Sequence, residues 1–121
     1  MQKVNMKFIE SEIRPWGVFF VIHDESNYKL KRIEVNPGGR LSYQYHEKRS
    51  EAWTIVQGKG TIKLDDKIKD YYKGQTILIP QGSKHRIQNN GQEKLIFIEV
   101  QTGSYFGEDD IIRIEDDYNR I

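Results

Sequence analysis

The 121-residue sequence has no cysteine, which removes disulfides, thiolate metal sites and thiol nucleophiles together. It has almost no excess of charge either. Nineteen Lys and Arg stand against 18 Asp and Glu, a net +1, so neither nucleic acid nor an anionic membrane is expected as a partner. No stretch approaches the ~20 consecutive apolar residues of a membrane span. The opening MQKVNMKFIESEIRPWG carries charges throughout, in place of the apolar run of about 7 to 15 residues in a secretory leader. These absences predict a soluble, cytoplasmic protein. The length suits one domain over residues 1–121 and leaves no room for a second catalytic one.

Long helical periodicity is also missing, and a period of two takes its place. YKLKRIEV (28–35) sets Leu30, Arg32 and Glu34 imperfectly against Lys29, Lys31, Ile33 and Val35. GTIKLD puts Ile62 and Leu64 on one face, while QTILIP and KLIFIEV are short runs rich in β-branched residues. Turn signals separate them at NPGG (36–39), QGKG (57–60), LDDK (64–67), YKGQ (72–75), PQGS (80–83) and NNGQ (89–92). That pattern predicts an all-β antiparallel sandwich or barrel. The closing EDDIIRIEDDYNRI reads as either a helix or a last strand, and its two EDD runs as a solvated edge.

LSYQYHEKRSEAW (41–53) carries the densest set of candidate ligands. A strand over 41–46 points Gln44 and His46 from one face, because side chains alternate across a sheet. Glu51 opens the next apolar run and is expected on an adjacent strand facing the same interior. His85, in PQGSKHRIQNN, starts a later strand after a Pro/Gly turn. Two imidazoles, a carboxylate and an amide oxygen suit a divalent first-row metal with positions left for water or substrate.

The spacing G-x5-Q-x-H-x4-E-x6-G, from Gly38 to Gly58, resembles the first cupin motif with Gln44 in place of its first histidine. G-x5-P-x-G-x2-H-x3-N matches the second motif in full through Gly74, Pro80, Gly82, His85 and Asn89. The pair implies a cupin double-stranded β-helix, a jelly-roll barrel with the metal inside. RPWG (14–17), IPQGSKHRIQN and LIFIEVQTGSYFGEDDIIRIEDDYNR extend the resemblance from Glu12 to Arg120. Together they are similar to the type II mannose-6-phosphate isomerase domain, the C-terminal part of bifunctional mannose-1-phosphate guanylyltransferase/isomerases. That resemblance implies Gln44, His46, Glu51 and His85 as metal ligands and a phosphosugar as substrate. Zinc is the expected metal, and manganese, iron, cobalt or nickel suits the same donors. Nothing in the sequence resembles the Gly-rich nucleotide loop of the guanylyltransferase half.

The family reads QxHHHRAEHW where this chain has QYHEKRSEAW, so Glu47, Lys48 and Ala52 replace three histidines. Aldose–ketose interconversion needs a base for a carbon-bound proton, and Glu47, Lys48 or a metal-bound hydroxide fills that role. Arg14, Arg49 and Arg113 are the expected phosphate-binding residues, because they lie in stretches that match the family. Taken singly, Arg40, Arg49, Arg86, Arg113 and Lys31 read as solvated surface charges, and Trp53 as core. A cupin that binds a sugar or nucleotide sugar without turnover is the rival reading, favoured by the replaced histidines. A metal-dependent oxygenase is the third. A homodimer is expected, with an N-terminal arm of about 12 residues exchanged or paired at a sheet edge.

Overall fold

The computed structural model describes residues 6–118, so the first five residues of the expected arm lie outside the described residues. The chain runs through β1 (Glu10–Arg14), β2 (Gly17–Asp24), β3 (Tyr28–Val35), β4 (Tyr43–Tyr45), β5 (Arg49–Gln57) and β6 (Gly60–Leu64). It continues through β7 (Lys67–Tyr71), β8 (Thr76–Ile79), β9 (His85–Gln88), β10 (Leu95–Gly103) and β11 (Ile112–Glu115). Two antiparallel sheets result, one of six strands in the order β1-β2-β3-β10-β5-β8 and one of five in the order β11-β4-β9-β6-β7. This is the expected double-stranded β-helix. The C-terminal segment is the strand β11, preceded by a 3-10 turn at Glu108–Asp110, and the strand around Gln44 is shorter than 41–46. No helix among the described residues is long and apolar enough to cross a membrane.

The sheets meet over an apolar core that includes Phe19, Ile33, Val35, Trp53, Ile55 and Phe97 from the larger sheet and Ile62 and Ile87 from the smaller. Such burial drives folding, at about 1.5–3 kcal/mol for each large side chain removed from water. The inward faces are not apolar along their whole length. On β3 the buried residues are Lys29, Lys31, Ile33 and Val35; on β5 they include Arg49, Glu51, Trp53 and Ile55; on β10 they include Leu95, Phe97, Glu99 and Gln101. The registers Phe97↔Ile33 and Phe97↔Ile55 align the apolar ends, and Glu99↔Lys31 and Gln101↔Glu51 align the polar ends. Because residues directly opposite across a sheet have Cβ atoms about 4.5–5.5 Å apart, one end of the barrel is oil and the other a dense polar layer. The imperfect alternation of YKLKRIEV is that layer: Lys31 is an inward residue and only 4 % exposed.

The motif residues outside the ligand set hold the backbone. Gly38 (φ +83°) and Gly82 (φ +84°) occupy the left-handed region that other residues enter at a cost, and the Gly82 amide donates to the carbonyl of His46. Asn89 is fully buried; its Nδ2 donates to the carbonyls of Val35 and Glu93, tying the end of β9 to the opposite sheet.

Candidate metal centre and adjoining cavity

His46 follows β4 directly, His85 opens β9, and Glu51 is the third residue of β5. The imidazoles therefore come from the smaller sheet and the carboxylate from the larger, a correction to the expectation that Glu51 sits on an adjacent strand. The site spans the sandwich. Glu51 Oε2 lies 3.3 Å from His46 Nε2, and Glu51 Oε1 lies 3.9 Å from His85 Nε2. The ligand atoms of the three residues fall within 4.8 Å of one another, and all three residues are buried. Gln44 is the cross-strand partner of His85 and lines the adjoining cavity, its Oε1 accepting a hydrogen bond from Ser42 Oγ at 2.6 Å.

Hydrogen bonds select the tautomers. His46 Nδ1 faces the carbonyl of Asp110 at 3.0 Å and His85 Nδ1 that of Ser83 at 2.9 Å. A carbonyl only accepts, so each Nδ1 carries the proton and each neutral ring turns the Nε2 lone pair toward Glu51. Burial, with the Arg49 charge second, lowers His46 to about 4, and burial lowers His85 as well. The close His–Glu approaches are thus lone pairs facing a carboxylate rather than ion pairs. His85 Nε2 is buried without a hydrogen-bond partner. Two neutral imidazoles and a carboxylate converging with an orphaned lone pair suit a divalent cation, and the backbone bonds to Nδ1 are the outer support that metal-binding histidines use.

Glu51 is clamped from both sides. Arg49 Nε donates to Oε2 at 2.8 Å and Trp53 Nε1 donates to Oε1 at 3.0 Å. Arg49 Nη2 also lies 3.5 Å from His46 Nε2, and Nη1 donates to the Gly107 carbonyl at 3.4 Å. Arg49 is 3 % exposed, so the surface reading of this residue is corrected: its guanidinium offsets the Glu51 charge inside the barrel.

Beside this cluster is a cavity of about 50 Å³ lined by residues that include Arg14, Lys31, Gln44, Glu99, Glu108 and Arg113. Arg14, Arg49 and Arg113 all line this cavity; Arg113 arrives on β11 opposite Gln44. Glu47 and Lys48 are exposed and do not line the cavity. Their amides donate to the Asp110 carboxylate while their side chains turn outward, Lys48 lying over the Tyr105 ring. Arg86 is buried as well, but it donates to the Leu41 carbonyl and approaches Glu115, and Arg40 pairs with Asp117; neither lines this cavity.

Glu99 and Glu108 are charged cavity residues that sequence reading did not select, and Lys31, weighed there as a solvated charge, lines the cavity with them. For Lys31 and Glu99 the signal was charge at inward positions of β3 and β10, since buried polar groups are more informative than exposed apolar ones; Glu108, on the 3-10 turn, had no such signal. Glu99 is 5 % exposed, accepts a 2.6 Å hydrogen bond from Gln101 Nε2, and is pushed up to about 7 by burial and then by the Glu51 charge. Nor are the EDD runs simply a solvated edge. Asp110 is buried, Glu108 pairs with Lys31, and Asp117 with Arg40.

The raised Glu99 value has a measurable consequence in metal-free protein. Its folded pKa of about 7 exceeds the ordinary 4.5, so the folded state holds the proton more tightly and gains stability as pH falls through that window. Wild type should therefore gain on the order of 3 kcal/mol relative to Glu99→Gln across it, read from urea melts. His46 acts oppositely in both proteins, losing stability from 6.5 down toward 4; burial is the main cause of its shift and the Glu99 charge the smallest named. A pH-independent difference between the two would contradict a buried, neutral Glu99.

The family described as "Mannose-6-phosphate isomerase C-terminal" matches residues 2–116. The xanthan biosynthesis protein XanB of Xanthomonas campestris pv. campestris is 44% identical over 107 residues, covering 88% of this chain and 23% of XanB. The alginate biosynthesis protein AlgA of Pseudomonas aeruginosa is 45% identical over 107 residues, covering 88% of this chain and 22% of AlgA. The chain thus spans less than a quarter of either relative. Among solved structures, a Klebsiella pneumoniae protein with a double-stranded β-helix domain superimposes with a TM-score of 0.70 at 18% identity, over 79% of this chain and 77% of the other. With both glycine frameworks and the His–Glu–His cluster in place, the chain belongs to the mannose-6-phosphate isomerase C-terminal family of double-stranded β-helix proteins.

Proposed function

We propose that the protein is a metal-dependent sugar-phosphate isomerase that interconverts mannose 6-phosphate and fructose 6-phosphate, in precursor supply for surface polysaccharides or nucleotide sugars. The observation that carries this reading is the buried His46–Glu51–His85 cluster beside a cavity holding both a carboxylate near neutrality and several cations. His46, Glu51 and His85, with Gln44, would hold the ion, zinc first and manganese, iron, cobalt or nickel as alternatives. When bound, a dication supplies Lewis-acid stabilisation of the charge that develops on the sugar oxygens.

The chain's own groups do the rest. Glu99, which lines the cavity where Glu47 and Lys48 do not, takes the proton from the carbon beside the carbonyl and returns it to the neighbouring carbon. Arg14 and Arg113, with Lys31, hold the phosphate. Arg49, tied to Glu51, orients that carboxylate instead of gripping substrate. Trp53 and Phe97 close the apolar end of the barrel beneath the site.

A coupled assay for fructose 6-phosphate after chelation and reloading with each metal tests the reading. Turnover is expected only in reloaded protein. Full metal occupancy and saturable sugar-phosphate binding with no product over hours would leave the rival, a non-catalytic sugar-binding cupin. Under either reading a sugar phosphate must enlarge the cavity, since about 50 Å³ is far below the ~300 Å³ at which small-molecule pockets begin.

The same proposal includes a cytoplasmic location and a homodimer. Ile13 on the edge strand β1 is 87% exposed, an apolar edge that a second copy would cover. Light scattering should give about twice the 14.3 kDa of the chain, and the monomer mass at micromolar concentration would refute the dimer.

A further inference from the structure

Glu108 adds a partly exposed carboxylate to the lining of the cavity. Glu108, on the 3-10 turn before β11, places Oε2 3.2 Å from Lys31 Nζ and Oε1 3.7 Å from Arg14 Nη2. Lys31, from β3, thus donates to one carboxylate oxygen, and Arg14, from β1, faces the other while its Nη2 donates to Glu12 Oε2 at 3.0 Å. We propose that Lys31 and Arg14 form a phosphate subsite that Glu108 occupies in the ligand-free protein and that a phosphate-bearing ligand takes over by displacing the Glu108 side chain. The inference rests on the isomerase reading only for the identity of the ligand.

The two partners differ in what they can do. The Lys31 side chain is 5% exposed, fixed on an interior strand, with its ammonium 4.2 Å from the Phe19 ring centroid. A buried ammonium needs a counter-charge at all times. The Glu108 side chain is 36% exposed and has solvent to turn into. Although burial pushes the Glu108 carboxyl up, Lys31 and Arg49 outweigh it and hold the group below its ordinary range, so it is an anion when it fills the site. The exchange therefore swaps one anion for another at cations already in place.

The turn itself need not open. Asp110 anchors it through its carbonyl, facing His46 Nδ1, and its carboxylate, which accepts from the amides of Glu47 and Lys48. The exchange asks only that the Glu108 side chain turn toward solvent. A phosphate dianion offers three oxygens and about twice the charge of a carboxylate, which suits two cationic donors approaching from different sides.

Titration calorimetry with inorganic phosphate at constant ionic strength, on wild type, Glu108→Gln and Glu108→Gln/Lys31→Met, reads the exchange. Glu108→Gln is expected to tighten phosphate binding at least fivefold, because the competing anion is gone, and the added Lys31→Met to remove that gain. Neutral mannose should show no difference between wild type and Glu108→Gln. Equal or weaker phosphate binding in Glu108→Gln, or no phosphate binding by either protein, overturns the subsite. Should Glu108→Gln not fold, wild-type amide resonances decide: phosphate, and not chloride, must shift Gly107, Glu108 and Asp109, and unchanged resonances under saturating phosphate overturn the proposal. The two readings fail separately. Tighter phosphate binding in a protein without turnover sinks the isomerase and keeps the subsite, and turnover with an unchanged phosphate affinity in Glu108→Gln does the reverse.

Discussion

Glu51→Gln is expected to lose divalent metal, with affinity falling at least about a hundredfold, and to lose turnover with it. Glu51 is the charged member of the ligand set, so the amide removes the charge that favours a dication over water. The substitution is not isosteric in its chemistry. Both oxygens of Glu51 accept from buried donors, Arg49 Nε and Trp53 Nε1. An amide has one acceptor and one NH₂, so either orientation sets a donor against a donor. Arg49 also loses the charge that offsets it at 3 % exposure. Removing one partner of a buried pair costs about 3–5 kcal/mol, and urea melts of the metal-free proteins should show a loss of that order. Elemental analysis finding one ion per chain in the variant would remove Glu51 from the site.

Glu99→Gln is expected to lower kcat by about 10²- to 10⁴-fold while the metal content stays at the wild-type level. The amide keeps an oxygen for the 2.6 Å bond from Gln101 Nε2, so the barrel wall is preserved while the ability to take a proton is lost. Glu47→Gln and Lys48→Met are the controls, since both side chains are exposed outside the cavity and should leave kcat within about twofold. The opposite pattern, a silent Glu99→Gln and an inactive Glu47→Gln, would return the base to the loop where the family carries histidines. Loss of metal in Glu99→Gln would instead make it a supporting residue of the ion site.

Much of this protein was legible in its sequence. Alternation and turn residues determined an all-β sandwich, because side-chain period and left-handed turns are local properties of the chain. The spacing around His46, Glu51 and His85 placed three donors at the ends of inward-facing strands, and the structure brings those donors within 4.8 Å. Composition determined that any metal meets nitrogen and oxygen, as no thiol exists. The tertiary structure decided which charges share a wall. Alternation says which face a side chain takes, but neighbours across a face depend on strand order, and β3, β10 and β5 pair across dozens of intervening residues. Only that pairing sets Lys31 opposite Glu99 and Gln101 opposite Glu51, converting apparently solvated charges into a polar layer. The outward turn of Glu47 and Lys48 and the inward reach of Glu108 were decided in the same way. Both depend on Asp110, which lies more than sixty residues beyond the loop it anchors, and no local pattern in the chain encodes that contact.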